Sequence, residues 1–466
     1  MKLQFLGGTR QVTGSRYYLQ ADGTRLLVDC GMFQERDYLD RNWDVSPVRP
    51  RDLAAVLVTH AHIDHCGLAP KLVQDGLRAP IYATPASVDL MELVLRDAAE
   101  IQEEDAAFKR KRHRKEGRKG KYPVQPLYTL KDVDRTLPLL EPVPYDQPCP
   151  IANSVVTHFR DAGHILGSAM IEVRFRLNGA SRSIVFSGDI GQWDKPLVRD
   201  PTTFVEADYI VMESTYGDRN HEEAGSIEDQ LTGIIRSTFE EGGKVIIPVF
   251  AIERTQELIY HLGRLVRGKR IPEMLVFLDS PMAADVIEVF RQHSDCFDDQ
   301  VEQMMAEGHS PLGFPGLKTV RTIEDSKAIN ALKGPAIIMA TSGMCTAGRI
   351  KHHLAQHISN PACTVLFVGY QARNTLGRQI LDGNPDVRIH GRNHRVRARV
   401  AQIFGFSGHA DRAGLLRWLG EFKKPPIKLF LTHGEEQESL SLANHVRETM
   451  GWNVVVPEYQ QVVDLE

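Results

Sequence analysis

Cysteine is scarce in this sequence, with six residues among 466 and no CxxC pair. That scarcity argues against a disulfide framework and against a thiolate zinc site. Long apolar runs are also missing, since none reaches the length of a membrane-spanning helix. The N-terminal Met-Lys-Leu-Gln-Phe-Leu enters a strand-like pattern without a signal-peptide core. We therefore expect a cytoplasmic protein with no membrane partner.

Neither sign of charge is in strong excess, because the formal net charge is −4. Such a chain has no general attraction for nucleic acid, so any affinity of that kind must be local. The remaining composition, 42% hydrophobic and 25% charged, is ordinary for a globular protein. Length alone suggests roughly two to four domains.

The chain does contain a dense cluster of metal-binding side chains in Thr59-His-Ala-His-Ile-Asp-His65. Neutral imidazole and carboxylate are ligands that Zn²⁺ and similar divalent metals accept. The alternation of His60, His62 and Asp64 predicts an extended segment with those three side chains on one side. His65 then points the other way, so the segment can serve two metals. The alternative is a set of core histidines bound to backbone carbonyls, but four ligand types in six positions argue against it.

Further candidate ligands follow apolar strand patterns, as the cluster itself follows Leu53 to Val58. Because several predicted strands end in such side chains, we expect them to converge on one edge of a sheet. An acid, Asp29, also closes a predicted strand. Asp29 either orients a ligating histidine or caps a turn, and the sequence favours neither role over the other. The other strand-end candidates are His164, Asp189, Glu213 and His433.

After residue 217 the predicted secondary structure changes to alternating helices and strands. This pattern predicts a parallel α/β domain inserted into the first domain. Predicted helices cover 227–240, 253–266 and 282–293, and predicted strands cover 244–250, 274–278, 336–340 and 364–368. A longer helix is predicted earlier, over residues 84–108.

Two basic segments interrupt this slightly acidic chain. Residues 109–121 hold nine Lys or Arg and one acid, and residues 388–399 hold five arginines, two histidines and no acid. A charge run is usually a solvated face. The alternative, contact with a phosphate backbone, is the one we favour for the first segment, given the adjacent candidate metal site.

The ordered set Asp29, His60-x-His62-x-Asp64-His65, His164 and Asp189 resembles the metallo-β-lactamase superfamily. Glu213, His409 and His433 match motifs A, B and C of its β-CASP nucleases, and Pro248 to Glu257, Ser342 to Met344 and Gly369 to Arg378 resemble the inserted β-CASP domain. The resemblance covers essentially the whole chain and is nearest to the RNA-processing branch. Glu253 departs from the pattern, because relatives often have Gly there.

This resemblance implies an α/β fold, an αββα metallo-β-lactamase sandwich with an inserted α/β β-CASP domain. The implied domains are 1–208 (sandwich, first part), 209–390 (β-CASP) and 391–466 (sandwich, second part).

The resemblance also implies residue roles. One zinc ion would be held by His60, His62 and His164, and the other by Asp64, His65 and His433, with Asp189 bridging. Two ions about 3.5–4 Å apart can share a hydroxide that attacks a phosphodiester. The implied catalytic residues are Asp64, Glu213 and His409, with His409 as general acid backed by Glu213. The implied RNA contacts are Arg254, Ser342, Arg373, Arg378, Lys109, Arg110, Lys111 and Arg112.

The sequence thus predicts a zinc-dependent ribonuclease, endo or exo, acting on single-stranded RNA with two Zn²⁺ per chain. Mn²⁺ and Fe²⁺ stay open as alternative metals, and a homodimer stays open as an alternative to a monomer. The rival functions are a small-molecule hydrolase of thioesterase or lactonase type and a non-catalytic RNA-binding scaffold. The inserted domain and the arginine-rich segments favour a polymeric substrate over the first. Occupied ligand positions argue against the second.

Overall fold

A computed structural model of the chain describes residues 1–117, 124–152, 154–177, 179–221, 225–372 and 374–466. Within these residues the chain forms two compact units. The first unit comprises Met1–Asp194, Asp200–Asn220 and His409–Glu466, and the second comprises Lys195–Arg199 and His221–Gly408. No helix among the described residues is both long and apolar enough to cross a membrane.

In chain order the strands are β1 (Lys2–Gly7), β2 (Arg16–Ala21), β3 (Thr24–Val28), β4 (Ala55–Leu57), β5 (Ile81–Ala83), β6 (Leu140–Pro142), β7 (Pro148–Ala152), β8 (Val155–Asp161), β9 (Ala169–Leu177), β10 (Ala180–Phe186), β11 (Tyr209–Glu213), β12 (Lys244–Pro248), β13 (Leu275–Asp279), β14 (Leu317–Thr319), β15 (Ala336–Ala340), β16 (Thr364–Phe367), β17 (Asp386–Ile389), β18 (Arg392–Arg395), β19 (Arg399–Gln402), β20 (Lys428–Thr432), β21 (Val454–Val455) and β22 (Val462–Asp464).

The α-helices are α1 (Ile63–Cys66), α2 (Ala69–Gln74), α3 (Pro85–Glu116), α4 (Leu130–Thr136), α5 (Ile227–Glu240), α6 (Arg254–Arg267), α7 (Pro281–Gln292), α8 (Asp299–Ala306), α9 (Ile323–Ala331), α10 (Ile350–His357), α11 (Leu376–Leu381), α12 (Arg412–Gly420) and α13 (Glu436–Met450).

Two mixed sheets pack face to face in the first unit. One has the order β22-β1-β2-β3-β4-β5-β6 and the other β21-β20-β11-β10-β9-β8-β7. Their facing apolar side chains, among them Phe5, Phe159 and Phe430, form one buried core. Helices α12 and α13 cover the outer face of the second sheet, and α2, α3 and α4 pack together beside the first. This is the predicted αββα sandwich.

Local sequence explains the first hairpin of the sandwich. Asp22 and Gly23, at φ 44° and 76°, connect β2 to β3, and Ala21 pairs with Thr24. A two-residue turn with both φ values positive matches the twist of antiparallel strands, which favours an Asp-Gly pair. The Asp22-Gly23 pair thus explains this hairpin from neighbouring residues alone.

Helix α3 is longer than the sequence predicted. It begins after the N-cap Thr84, whose side chain accepts a hydrogen bond from the Ser87 amide, and ends at Gly117 with φ 64°. A glycine in the left-handed conformation is a common helix stop. The helix therefore continues from the predicted end at residue 108 through the first part of the basic segment. Residues 118–121 of that segment lie outside the described residues.

The second unit is built on a six-stranded sheet of order β14-β13-β15-β12-β16-β19, in which every described pair is parallel. Its central strands β12, β15 and β16 are apolar runs whose residues are all buried, as strands covered on both faces must be. Helices α10 and α11 contribute Leu354 and Ile380 to one core and α9 contributes Ile329 to another. The predicted parallel α/β domain is confirmed as an architecture.

The predicted domain boundaries at residues 209 and 390 stay a prediction. The compact units divide instead near residues 221 and 408. Strand β11 (Tyr209–Glu213) pairs with β10 and β20 inside the sandwich, and β19 (Arg399–Gln402) pairs with β16 in the parallel sheet.

Candidate metal centre

The ends of neighbouring strands bring the candidate ligands to one edge of the sandwich. In the second sheet β10, β11 and β20 run parallel, and β8 runs in the same direction across antiparallel β9. Their carboxyl ends therefore lie together. His164, Asp189 and His433 follow β8, β10 and β20, and Glu213 is the last residue of β11. The convergence expected from the sequence is present.

The histidine-rich segment after β4 is not extended throughout, which corrects the sequence interpretation. His62 is the N-cap of the short helix α1, and Asp64 and His65 lie within that helix. Because a helical turn replaces the predicted alternation after His62, Asp64 does not share a side with His60 and His62. It lies instead beside His65 and His433.

The candidate ligands form two neighbouring donor sets. His60, His62, His164 and Asp189 can each offer an atom within 4.8 Å of the others, and so can Asp64, His65 and His433. Within the second set, His65 Nε2 and His433 Nε2 are 3.1 Å apart. Within the first set, His62 Nδ1 lies 3.1 Å from His60 Nε2 and 3.2 Å from His164 Nε2. Nitrogen atoms this close fit a shared cation.

Asp189 faces both sets with one carboxylate oxygen each. Its Oδ2 lies 3.4 Å from His60 Nε2 and 3.5 Å from His164 Nε2. Its Oδ1 lies 3.2 Å from His65 Nε2 and 3.5 Å from His433 Nδ1. That Oδ1 atom is buried and accepts no hydrogen bond from the described part of the chain. A buried carboxylate oxygen without a donor is costly, and a bound cation would satisfy it.

Asp29 and Thr59 orient two of the imidazoles from behind. Asp29 Oδ2 lies 2.8 Å from His65 Nδ1, and the Thr59 hydroxyl lies 2.9 Å from the same oxygen and 3.1 Å from His60 Nδ1. With both Nδ1 atoms bound in this way, the Nε2 atoms of His60 and His65 face Asp189. Carboxylate or hydroxyl partners behind the imidazole are typical of metal-ligating histidines.

Burial keeps most of these imidazoles neutral. It lowers the pKa of His60 to about 3, helped by the charge of His65, and lowers the pKa of His62 to about 4. The pKa of His164 is lowered in the same way, by burial and then by His409. A metal ion binds the neutral imidazole, so these side chains need no deprotonation near neutral pH.

The carboxylates are correspondingly held ionised. Burial raises the pKa of Asp64 and Asp189, but the neighbouring His433 and His65 outweigh it, and both pKa values fall below the ordinary range. For His65, burial lowers the pKa, yet Asp189 and Asp29 outweigh it and raise the pKa well above normal. Ionised carboxylates therefore lie beside buried imidazoles in this pocket, and this combination favours the binding of a cation.

His409 and Glu213 form a pair beside the donor sets. Glu213 is buried; its Oε1 accepts a hydrogen bond from the Ile190 amide at 2.7 Å and lies 3.1 Å from His409 Nδ1. The other ring nitrogen of His409, Nε2, lies 3.9 Å from Asp189 Oδ2. Burial alone lowers the pKa of His409, but Glu213 and Asp189 outweigh it and raise the pKa to about 9. The structure also groups His409 with Asp189 and His433 as metal donors, so geometry alone permits either role.

Comparison with known proteins identifies the family. The metallo-β-lactamase superfamily matches residues 10–149, the β-CASP domain matches 255–380, and the Zn-dependent metallo-hydrolase RNA specificity domain matches 393–457. The chain is 38% identical over 443 residues to ribonuclease TTHA0252 of Thermus thermophilus, covering 95% of each protein. The chain belongs to the β-CASP ribonuclease family. It is a metal-dependent hydrolase with the metallo-β-lactamase fold.

Other relatives are named for a different role. Transcription termination factor FttA of Methanocaldococcus jannaschii is 31% identical over 468 residues, which cover 98% of this chain and 70% of the factor. A solved structure of a protein of unknown function from Enterococcus faecalis V583 superimposes with a TM-score of 0.57 at 11% identity, covering 100% of this chain and 99% of that one. That likeness concerns the fold alone.

Three of the predicted RNA contacts of the β-CASP domain follow adjacent parallel strands. Arg254 follows β12 as the first residue of α6, Ser342 follows β15, and Arg378 lies on α11 after β16. The carboxyl ends of such strands are the usual binding edge of an α/β sheet. The fourth predicted contact, Arg373, lies outside the described residues.

These three side chains differ in their surroundings. Arg254 lies over the Phe406 ring at 5.7 Å. The Ser342 hydroxyl accepts hydrogen bonds from the amides of Thr346 and Ala347. Arg378 pairs with Asp382 at 2.7 Å, so part of its charge is already neutralised.

Glu253, the departure from the family pattern, has an unusual backbone. Its φ of 65° and ψ of −60° are those of a tight turn in which the Arg254 amide donates to the Ile252 carbonyl. Glycine adopts such a conformation at least cost, which explains why glycine suits this position.

The predicted contacts Lys109, Arg110, Lys111 and Arg112 lie on the exposed last turns of α3. Arg110 donates to the Val124 carbonyl, and Arg112 lies 3.8 Å from Glu116. Within the described residues, no ion pair neutralises Lys109, Arg110 or Lys111.

Two functional side chains escaped the sequence interpretation. Thr59 links Asp29 to His60, and Thr215 Oγ1 lies 3.1 Å from His433 Nδ1 and donates to the His433 carbonyl. Both threonines lie close to predicted strand-end sites, since Thr59 precedes His60 and Thr215 is two residues after Glu213. A hydroxyl residue close in sequence to a predicted site residue was the signal by which these threonines could have been found.

Proposed function

We propose that this chain is a zinc-dependent ribonuclease that hydrolyses phosphodiester bonds of single-stranded RNA at a two-metal site. The observation that carries the proposal is the position of Asp189 between two donor sets, each otherwise complete with three side chains. RNA as substrate is supported by the matched RNA specificity domain and by the ribonuclease among the relatives.

In this proposal His60, His62 and His164 would hold one ion, and Asp64, His65 and His433 would hold the other. Asp189 would contribute a carboxylate oxygen to each. When bound, the two ions supply an activated water as nucleophile and offset the charge that develops on the phosphodiester. Zn²⁺ suits four-coordinate sites of imidazole and carboxylate, and Mn²⁺ or Fe²⁺ would fit the same donor types.

The remaining chemistry falls to the chain's own residues. His409 holds a proton on Nε2 and donates it to the leaving oxygen. Glu213 accepts the Nδ1 hydrogen of His409, which fixes the ring orientation and favours the protonated form. Asp29 and Thr59 keep the Nε2 atoms of His65 and His60 directed at the site.

The proposed substrate contacts are Arg254, Ser342, Arg373 and Arg378, together with Lys109, Arg110, Lys111 and Arg112. Arginine and lysine bind phosphate through charge-assisted hydrogen bonds. A cytoplasmic location and a homodimer remain predictions from the sequence.

A cleavage assay tests the proposal. Purified protein of known metal content is incubated with end-labelled single-stranded RNA and with DNA of the same sequence. We expect the RNA to be cut, and we expect Asp189→Asn to abolish cutting while His309→Ala, at an exposed histidine of the second unit, leaves it intact. Cleavage of a thioester or lactone in place of RNA would contradict the proposal.

A further inference from the structure

The second unit carries an exposed basic hairpin that the proposed metal centre does not use. Strands β17 and β18 form a two-stranded antiparallel sheet, and residues 386–397, here called the basic hairpin, contain four arginines and one acid. In a chain whose net charge is −4, this is a local reversal of sign. Such a reversal attracts anions to one place on the surface.

The register of the hairpin decides which side chains face outward. Val387 and Ile389 are buried and pack in the same core as Ile380, so their face is the inner one. Side chains alternate along a strand, and directly paired residues share a face. Arg388 pairs with Asn393, and Arg395 lies diagonally from Arg388 on the outer face. The outer face therefore presents two arginines, an amide and the carboxylate of Asp386, which lies opposite Arg395.

The arginines of the basic hairpin are not neutralised within the described residues. There, no ion pair joins Arg388, Arg392, Arg395 or Arg397 to a carboxylate, and all four are exposed. Arg399, the next arginine along the chain, is different because it pairs with Glu241 at 2.9 Å. The hairpin charges repel one another, and a bound polyanion would relieve that repulsion.

Aromatic surface accompanies the charge. His352 of α10 stacks on His390 at the hairpin turn, with ring centroids 4.3 Å apart and planes inclined by 27°, and both side chains are exposed. Lys351 is adjacent to His352 in the same helix. Imidazole rings and guanidinium planes stack on unpaired bases, and basic surfaces with such rings are typical of single-strand binding. An acidic peptide would use the charge but not the rings.

We infer that the basic hairpin, together with Lys351 and His352, binds single-stranded RNA through its phosphates and bases. These residues are separate from the candidate metal ligands and from the RNA contacts proposed above. The inference rests on the proposed function for the identity of the polymer. It assigns the hairpin to substrate retention and leaves the chemical step to the metal centre.

The test compares two double variants of the full-length protein. Arg388→Gln with Arg395→Gln removes charge from the outer face of the hairpin. Arg291→Gln with Arg321→Gln is the matched control, because both arginines are exposed in the same unit but pair with Glu288 and Asp285. Affinity for a labelled polyuridylate strand is measured by fluorescence anisotropy at 4 °C over a salt series, with a gel to show that the RNA stays intact.

Each phosphate contact to a single strand contributes about 0.7 to the salt slope of log K, which is roughly five-fold in affinity at 0.1 M salt. We therefore expect the hairpin variant to bind about 25-fold more weakly, with a slope reduced by about 1.4. The control variant should bind like the unmodified protein. Cleavage of a dinucleotide should be unchanged in both, because a dinucleotide is too short to need retention.

Three results would overturn the inference: a hairpin variant with the affinity and slope of the control, an equal loss in both variants, or polyglutamate competing as well as polyuridylate at equal charge. Failure of the proposed function looks different. If the unmodified protein binds RNA with the full salt slope but never cuts it, the ribonuclease assignment fails while the hairpin assignment stands.

Discussion

At the scale of single residues, the donor sets depend unequally on their members. Asp189 contributes one oxygen to each set, whereas His62 and Asp64 each belong to one. We expect His62→Ala and Asp64→Ala each to lose one metal per chain, and Asp189→Asn to weaken both. Elemental analysis of the purified proteins measures this, with His309→Ala as control. Active protein without stoichiometric metal would contradict the two-metal assignment.

His409 and His433 are the pair whose roles the geometry leaves open. His433 directly follows β20 and faces His65 and Asp64, so His433→Ala should lose metal and activity together. His409→Ala should keep its metal and its RNA affinity while kcat falls about 10²–10⁴-fold, the usual loss for a general acid. Metal content and kcat, measured on the same preparations, separate the two roles.

Glu213 provides a second check on the acid assignment. Glu213→Gln should resemble His409→Ala in kcat, and the double variant should be little worse than either, because groups that act as a unit are not additive. The raised pKa of His409 means that the acid is lost as pH rises through that pKa, so kcat should decline on the alkaline side. That decline should be absent in His409→Ala. If the kcat losses of the two single variants simply multiplied in the double variant, or if His409→Ala lost a metal, the assignment of an acid pair would be contradicted.

Asp29 acts on the metal only through His65 and Thr59. Asp29→Asn keeps the size of the side chain but removes the charge behind His65 Nδ1. We expect metal affinity to fall about 10–100-fold, as for other partners of ligating histidines. Competition with a chelating dye measures the affinity, and Asp75→Asn, at a residue that pairs with Lys71 outside the site, is the control. Unchanged affinity would mean that Asp29 only shapes the turn.

At the scale of elements, the end of α3 presents its basic side chains along a helix. Its 32 residues correspond to about 48 Å at 1.5 Å per residue, and the basic side chains lie in the last turns. If Lys109 and Lys111 contact phosphate, replacing both by Gln should reduce the salt slope of RNA binding by about 1.4. Arg96→Gln with Arg135→Gln, at arginines that already pair with acids, provides the control. An unchanged slope would show that the helix end is merely solvated.

At the scale of the whole molecule, metal binding and stability are linked. The core of the first unit lies between two sheets, and the candidate ligands lie after strands of both sheets. A ligand that binds only the folded state stabilises it by about 2.7 kcal/mol when its concentration is 100 times Kd. We expect chelation to lower the melting temperature and abolish RNA cleavage, and added Zn²⁺ to restore both. A melting temperature insensitive to chelation would argue against a site built from both sheets.

Much of this molecule could be predicted from sequence because its signals are local. Apolar runs of strand length gave β4, β10, β11 and β20, and Asp22-Gly23 gave the first hairpin, since these patterns depend on neighbouring residues only. Residue types also identified the candidate ligands, because His, Asp and Glu after apolar strands have few structural uses there. The family motifs added the order in which they occur.

Other features were decided only by the tertiary structure. The helical turn over residues 63–66 moves Asp64 to the side of His65, whereas the alternating sequence there indicated an extended segment. Carbonyls of this turn accept hydrogen bonds from the amides of Ser15, Cys30 and Met32, which are distant in sequence. Which oxygen of Asp189 faces which imidazoles, and that Thr59 and Thr215 stand behind histidines, depends on residues far apart in sequence. The sequence could identify the possible metal donors, because the ability to bind a metal depends on the type of side chain. Only the tertiary structure could decide which donors lie together, because the packing of the sheets sets the distances between residues far apart in sequence.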